Sequence, residues 1–236
     1  MKRINETLAI GAVVVAGSTA SAGVSFTGTY TFGTEAGNPR PYNGGAIPNA
    51  TAGAISISNG VTYAPANYAT GFGANGWDVA PTINLDDYFT FTLAAASGYT
   101  LDMTSIFFSF YKTGAGPAKW EWRSSVDNFA STLTNYTTLD SDVTNSSGVL
   151  SVSGTQTVSA ANNRLTLTGA AFSGLASVEF RLYAYNATSA TTGYGYLRTS
   201  LSVSGSVNVA APPVPAPGAV TLLAMAGLAG GRRRRA

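Results

Sequence analysis

The chain contains neither cysteine nor histidine. The absence of cysteine excludes disulfide bonds, thiolate nucleophiles and thiolate metal ligands. The absence of histidine excludes imidazole ligands and every catalytic triad that uses imidazole as its base. The aspartates at 86–87 and 140–142 could bind Ca²⁺ through oxygen atoms, but each cluster is short of a full ligand set and is typical of a turn. We therefore expect no cofactor and no bound metal, and a fold that its hydrophobic core alone must stabilise.

Charged residues are also scarce, at 10% of the 236 residues, roughly half or less of the usual share. The formal net charge is +2, but six of the thirteen basic residues lie at the two ends, at positions 2, 3 and 232–235. Residues 23–231 hold seven basic residues against ten acidic ones, a balance near −3. The basic ends thus say nothing about the body, and no nucleic-acid partner is expected.

The N-terminal apolar run is short. Lys2 and Arg3 precede nine apolar or small residues at 8–16, too few to span a bilayer. A basic start, a short apolar stretch and a small-x-small site are the order of a secretory signal peptide. We predict a helical signal peptide over 1–22 that signal peptidase removes, and the cleavage-site residues are Ala20, Ala22 and Gly23.

The C-terminal end has three parts. Residues 210–217 are rich in proline, which suits an extended linker and cannot continue a sheet. Residues 218–231 are apolar, and as a helix they would reach only some 21 Å against a hydrocarbon core of roughly 30 Å. Four arginines follow and would stay on the cytoplasmic side. This order favours a transient membrane segment over 218–236.

The three-part tail resembles the PEP-CTERM sorting signal of Gram-negative bacteria, in which a Val-Pro-Glu-Pro-like motif precedes a short helix and an arginine-rich end. Ala216 stands where that family has glutamate. The resemblance implies processing by an exosortase-like enzyme, and a place at the cell surface or in the extracellular matrix, where the family is linked to exopolysaccharide and biofilm. The matching residues are Val214, Pro215, Ala216, Pro217, Arg232, Arg233, Arg234 and Arg235.

The body, residues 23–209, shows a period of two. In 88–93 the apolar residues Phe89, Phe91 and Leu93 alternate with polar ones, as in a strand with one face on a core. Similar alternation recurs at 106–111, 120–123, 178–184 and 201–209, and weaker strands are expected at 24–33, 54–58, 133–139, 148–158 and 164–168. The pattern predicts an all-β, antiparallel β-sandwich of jelly-roll type. Residues 34–81 predict long loops that carry Trp77, Tyr63 and Tyr68.

Two glutamates are the best candidates for catalysis. A glycosidase needs two carboxylates about 5 to 9.5 Å apart, and Glu121 and Glu179 both lie on predicted strands. Each alternates with large apolar neighbours, which predicts a solvated position instead. A carbohydrate-active enzyme is therefore an alternative, and we expect no catalytic residues.

Four tyrosines are candidates for carbohydrate binding: Tyr183, Tyr185, Tyr194 and Tyr196. Rings on an uncharged, hydroxyl-rich sheet surface can stack on neutral sugars, although cross-strand packing between tyrosines explains the same pattern. We predict a non-enzymatic exported surface protein that binds neutral polysaccharide. A self-associating structural or adhesive protein is the further alternative.

Overall fold

The computed structural model describes residues 23–33, 37–65, 71–152, 156–158 and 163–211. The predicted signal peptide, the predicted sorting tail after Ala211 and Tyr68 lie outside the described residues. Within the described ranges no helix is long and apolar enough to cross a bilayer.

Strands make up almost all of the regular structure. Two single 3₁₀ turns, Ser125–Asp127 and Ala170–Phe172, accompany them in the described part of the chain. The strands are β1 (Val24–Thr31), β2 (Ala50–Ala52), β3 (Ser56–Ile57), β4 (Thr62–Ala64), β5 (Phe72–Asn75), β6 (Tyr88–Ala95), β7 (Tyr99–Lys112), β8 (Lys119–Ser124), β9 (Tyr136–Thr138), β10 (Val143–Ser146), β11 (Val149–Val152), β12 (Gln156–Val158), β13 (Arg164–Thr166), β14 (Ser177–Tyr185) and β15 (Gly195–Val209).

The strands form two antiparallel sheets. The first has the order β4-β5-β15-β7-β13-β9, with β1 also beside β15 and β12 beside β7. The second has the order β10-β11-β8-β14-β6-β2, with β3 also beside β6. Successive long strands change sheet, since β6 and β8 belong to the second sheet and β7 to the first. The prediction of an all-β antiparallel sandwich is confirmed.

The core lies between the sheets and is largely aromatic. Phe110 of the first sheet meets Trp120 of the second with ring centroids 4.8 Å apart, and Phe108 meets Trp122 at 5.5 Å. All four rings are buried. The alternation read from the sequence therefore points the correct residues inward on both strands, and the two sheets pack face to face through them.

The described parts of residues 34–81 are more ordered than the sequence suggests. Three short strands, β2, β4 and β5, occur where long loops were predicted, and β3 lies within the strand expected at 54–58. Trp77, expected in a loop, is fully buried and its indole Nε1 donates a hydrogen bond to the Ala74 carbonyl at 2.8 Å. The reason is packing between distant segments, because the Trp77 ring contacts Phe89 and Trp120. Such contacts leave no local period in the sequence.

Candidate functional site

The outer face of the second sheet carries most of the polar candidates. On β8 the tryptophans Trp120 and Trp122 point into the core, so Glu121 and Arg123 point away from it. The same alternation on β14 and β6 sets out the rest of a mixed surface, which we call the outer face. Its members are Lys119, Glu121, Arg123, Glu179, Arg181, Tyr183, Tyr185, Tyr88 and Thr90.

The strand register decides which of these side chains become neighbours. Tyr183 lies opposite Glu121 on one side and opposite Tyr88 on the other. Arg181 lies opposite Arg123. Two arginines that face each other across a strand pair repel, so each needs a carboxylate partner.

Glu121 is the centre of a buried hydrogen-bond network. Its Oε1 accepts from Nε of Arg123 at 2.7 Å and from the Thr132 hydroxyl at 2.9 Å. Nη2 of Arg123 also lies 2.7 Å from this oxygen. Its Oε2 accepts from the Tyr185 hydroxyl at 3.1 Å. Glu121 was predicted to be solvated, and that prediction is wrong, because the residue is only 2% exposed.

The segment after β8 explains this burial. Arg123 donates from Nη1 to the Phe129 carbonyl at 3.0 Å, and Leu133 N donates to the Trp122 carbonyl at 2.8 Å. These bonds return residues 129–133 to β8 and bring the Thr132 hydroxyl to Glu121. The carboxylate is thereby enclosed by donors.

Glu179 repeats the arrangement nearer to solvent. Nε of Arg181 donates to its Oε1 at 2.7 Å, and the Thr90 hydroxyl donates at 2.9 Å. The two charged side chains are 24% and 28% exposed. The Arg181 guanidinium also lies over the rings of Phe129 and Tyr88, at 3.7 and 4.4 Å from their centroids, a cation–π arrangement.

The structure does not bring the two glutamates together. Glu121 lies opposite Tyr183, and Glu179 is four residues further along β14. At about 3.4 Å per residue and 4.8 Å between strands, their Cα atoms are about 14 Å apart. Each carboxylate instead turns to the arginine two residues along its own strand. This geometry does not match the paired carboxylates of a glycosidase.

The tyrosines of β14 lie on the predicted face but are not exposed. Tyr183 and Tyr185, opposite in direction to Phe180 and Leu182, are 1% and 5% exposed. The Tyr183 ring packs against Tyr88 with centroids 5.2 Å apart. The expectation that these rings are free to stack on a sugar is therefore wrong: cross-strand packing accounts for Tyr183, and Tyr185 donates a cross-strand hydrogen bond to Glu121.

The other two tyrosines lie on the outer side of the first sheet. Tyr196, expected just before the last strand, lies within β15, is 2% exposed and packs closely over Gly73, where a side chain would overlap its ring. Tyr194 stacks beside it, with centroids 6.1 Å apart, and stays half-buried. Tyr194 alone of the four keeps a partly exposed ring.

A polar hollow of about 380 Å³ opens at the N-terminal end of β6, and we call it the β6 hollow. The turn at Asn59-Gly60 meets the turn before β6 there, and Gly60 approaches so closely that a methyl group would overlap the Asp86 carbonyl and the Asp87 carboxylate. Asn59-Gly60 has the composition of a turn, but the sequence gives no signal that this turn faces the one before β6. The lining residues are Ser58, Asn59, Gly60, Asp86 and Tyr88.

Asp87 supports the wall of the β6 hollow. It is 2% exposed, and burial raises the pKa of its carboxyl above the usual value. Its Oδ2 accepts a hydrogen bond from the Asp78 amide at 2.8 Å. Asp87 is thus a structural residue, whereas Asp86 is exposed at the rim.

A second hollow of about 350 Å³ lies across the sheet, beside β10, β11 and β8, and we call it the β10 hollow. Lys119 donates from Nζ to the Ser151 hydroxyl at 2.6 Å, and Asp142 and Thr144 also line it. β14 separates the two hollows. Among the residues that the structure describes, no group of three or more acidic side chains could hold a metal ion.

The Tyr185 hydroxyl gives the outer face a testable pH dependence. Burial, and then the Glu121 carboxylate, raise its pKa to about 12, against about 10 in an unfolded chain. Above about pH 10 the unfolded state loses this proton first, so the free energy of unfolding falls as pH rises towards 12. Denaturant titrations at a series of alkaline pH values should show this fall, and Tyr185→Phe should make it shallower. Equal slopes for Tyr185→Phe and a Tyr194→Phe control would contradict the assignment.

Comparison with known proteins adds little to this geometry. No protein-family model and no curated protein matches the chain. Among solved structures, the enzymatically active domain of tailspike protein 4 from bacteriophage CBA120 is similar at 13% identity and a TM-score of 0.26, over 66% of this chain and 19% of that one. The family 11 carbohydrate-binding module from Clostridium thermocellum, solved with a β-1,3-1,4-mixed-linked tetrasaccharide, is similar at 14% identity and a TM-score of 0.22, over 78% of this chain and 96% of that one. Both TM-scores are too low to carry an argument.

Proposed function

We propose that this chain is an exported, non-enzymatic protein of the cell surface or extracellular matrix, and that its sandwich binds a neutral polysaccharide. The observation that carries the proposal is the β6 hollow. A tyrosine ring, a carboxylate, a carboxamide and a hydroxyl line it together at the surface of the second sheet. A few convergent polar groups in one concave site are typical of small-ligand sites.

The chemistry of the β6 hollow fits sugar hydroxyls. The Asp86 carboxylate accepts hydrogen bonds, and the Asn59 carboxamide both donates and accepts. Asp86 also repels anions, and residues 23–231 carry only seven basic residues against ten acidic ones. A neutral glycan is therefore a better ligand than an acidic one.

The ion pairs and hydrogen bonds of the outer face support a non-enzymatic function. Both glutamates that the sequence offered for catalysis are bound to arginines at 2.7 Å. A general acid must hold a transferable proton near its substrate, and a carboxylate enclosed by donors, as Glu121 is, does not meet that requirement.

The proposed location depends on the two ends of the chain, which lie outside the described residues. Its support is the order of parts in the sequence: the signal-peptide pattern at 1–22 and the tail that resembles a PEP-CTERM signal at 214–235. Signal peptidase and an exosortase-like enzyme are accordingly the proposed processing partners.

Replacing Asp86 tests the proposal. The protein, purified from an exporting host, is applied to an array of neutral and acidic glycans, and its intact mass reports whether residues 1–22 are lost. Binding to a neutral glycan is expected, and Asp86→Ala should weaken it about tenfold, since hydrogen bonds to charged groups are worth about 1.5–3 kcal/mol. Asp142→Ala is the matched control, because Asp142 is also an exposed aspartate in the turn before a strand and lines the β10 hollow.

Three results would overturn parts of the proposal. If Asp142→Ala weakens binding and Asp86→Ala does not, the ligand occupies the β10 hollow. If no glycan binds, the self-associating structural alternative takes precedence. Hydrolysis of a bound glycan that Asp86→Asn abolishes would identify an enzyme.

A further inference from the structure

No residue that the structure describes pairs with the outer side of the N-terminal half of β1. β1 pairs with β15 on one side. Thr31 N donates to the Asn43 side chain at 2.9 Å, on the side of β1 that faces away from β15. Because every second residue of a strand directs its backbone groups to the same side, the N–H and C=O groups of Ser25, Thr27 and Thr29 also point away from β15. Side-chain bonds from Thr27 to Ser204 and from Thr29 to Ser202, at 3.0 and 2.9 Å, agree with this register, because facing side chains are closest at non-hydrogen-bonded pairs.

The C-terminal half of this edge is covered by described residues. The Asn43 carboxamide bonds both the amide and the carbonyl of Thr31, and Gly44 lies against the Thr29 carbonyl. Ser25 and Thr27 are exposed, and their outward backbone groups have no partner among the residues that the structure describes. The uncovered edge therefore runs from Val24 to Thr27.

This edge lacks the features that natural proteins use against edge-to-edge pairing. Lysine, proline, a bulge or a covering loop normally protects an exposed edge. β1 reads VSFTGTYT, with no charge and no proline, and its register with β15 is unbroken. Nothing in β1 itself opposes the approach of another strand.

We infer that the Val24–Thr27 edge pairs with the same edge of a second copy of this chain, in antiparallel register about a two-fold axis at Phe26. Ser25 then lies opposite Thr27 of the second copy, and the two pairs exchange four N–H···O=C bonds. In an isologous contact the same surface of the two copies meets. Because this edge carries no charge, the two copies do not repel each other there. The residues that follow Ala211 are a poor alternative occupant, because prolines at 212, 213, 215 and 217 lack the N–H that a strand needs.

Proline substitution at Thr27 tests the contact. Thr27→Pro removes an outward N–H and none of the backbone bonds to β15, while Thr27→Ala keeps the N–H and, like the proline variant, loses the hydroxyl that bonds Ser204. Sedimentation velocity of the exported protein from micromolar to millimolar concentration should show a concentration-dependent dimer. Thr27→Ala should keep it, and Thr27→Pro should weaken it by about tenfold or more, since two of the four bonds are lost by symmetry. Ser25→Pro repeats the test if Thr27→Pro lowers the melting temperature.

Cross-linking tests the register with the backbone intact. The native chain has no cysteine, and residues in a hydrogen-bonded pair lie about 5.5 Å apart at Cα, within reach of a disulfide. Mixing Ser25→Cys with Thr27→Cys protein should give more cross-linked dimer than either variant alone. A wild-type protein that stays monomeric, proline variants that associate as Thr27→Ala does, or no preference for the mixed disulfide would overturn the inference. None of these results bears on glycan binding at Asp86.

Discussion

Replacing Trp77 with alanine is expected to lower the free energy of unfolding by about 3–5 kcal/mol, the usual cost of truncating a large buried aromatic residue. Trp77 is fully buried and its ring centroid lies 5.2 Å from that of Phe89 and 6.1 Å from that of Trp120. The substitution removes these contacts, leaves a cavity between the sheets and frees the Ala74 carbonyl from its indole donor. Chemical denaturation of the purified protein, followed by Trp120 and Trp122 fluorescence, measures the loss.

Two control variants separate burial from chain position. Val79→Ala lies two residues further along the same segment, and Val79 is exposed, so its effect should stay within about 0.5 kcal/mol. Trp77→Phe keeps part of the packing and should fall between the other two. If Trp77→Ala costs no more than Val79→Ala, the segment after β5 does not belong to the core.

Trp77 also shows what the sequence could not reveal. Trp120 and Trp122 alternate with charged residues on one strand, so their inward direction followed from the period of two. Trp77 follows Gly76, whose φ of +89° ends the extended run of β5. Its burial depends on a turn and on contacts with distant strands, neither of which leaves a periodic signal.

The outer face makes the same point about exposure. Alternation gave the direction of Tyr183 and Tyr185 correctly, away from Phe180. It could not show that the face is buried, because the Tyr183 ring packs against Tyr88 of the neighbouring strand and the cover over Glu121 comes from another segment. Residues 129–133 are bonded back onto β8 through Arg123 and the Trp122 carbonyl. The direction of a side chain is a local property of a strand, whereas its burial also depends on what packs above it.

The two turns that form the β6 hollow can be recognised in the sequence, but their meeting cannot. Asn59-Gly60 and the turn before β6 each have a turn composition. Their meeting depends on the pairing of β3 with β6, in which Ile57 lies opposite Phe89. The sequence predicts a strand at 54–58, where β3 lies, but alternation does not identify the partner of a strand, so the sequence gives no reason to combine Asn59 with Asp86.

Two ion pairs of the same spacing and distance allow the effect of burial on stability to be measured. Glu121–Arg123 and Glu179–Arg181 both join residues two apart on one strand, both at 2.7 Å, and each glutamate also accepts from a threonine hydroxyl. They differ in exposure, since the glutamate side chains are 3% and 28% exposed. A difference in their contribution to stability then reflects burial together with the additional hydrogen bond that Glu121 accepts from Tyr185.

Glu121→Gln is expected to lower the free energy of unfolding by about 2–4 kcal/mol, somewhat below the 3–5 kcal/mol typical of breaking a buried pair, because the Arg123 side chain keeps 14% exposure and its carbonyl partners. Glu179→Gln should cost less than about 1 kcal/mol, since water can solvate Arg181. Urea unfolding of both variants at neutral pH gives the comparison, and Glu121→Gln combined with Arg123→Met should recover part of the loss by removing the unpaired cation. Equal costs for the two single variants would mean that the segment over β8 opens to water, and that Glu121 is as solvated as its alternation with tryptophans first suggested.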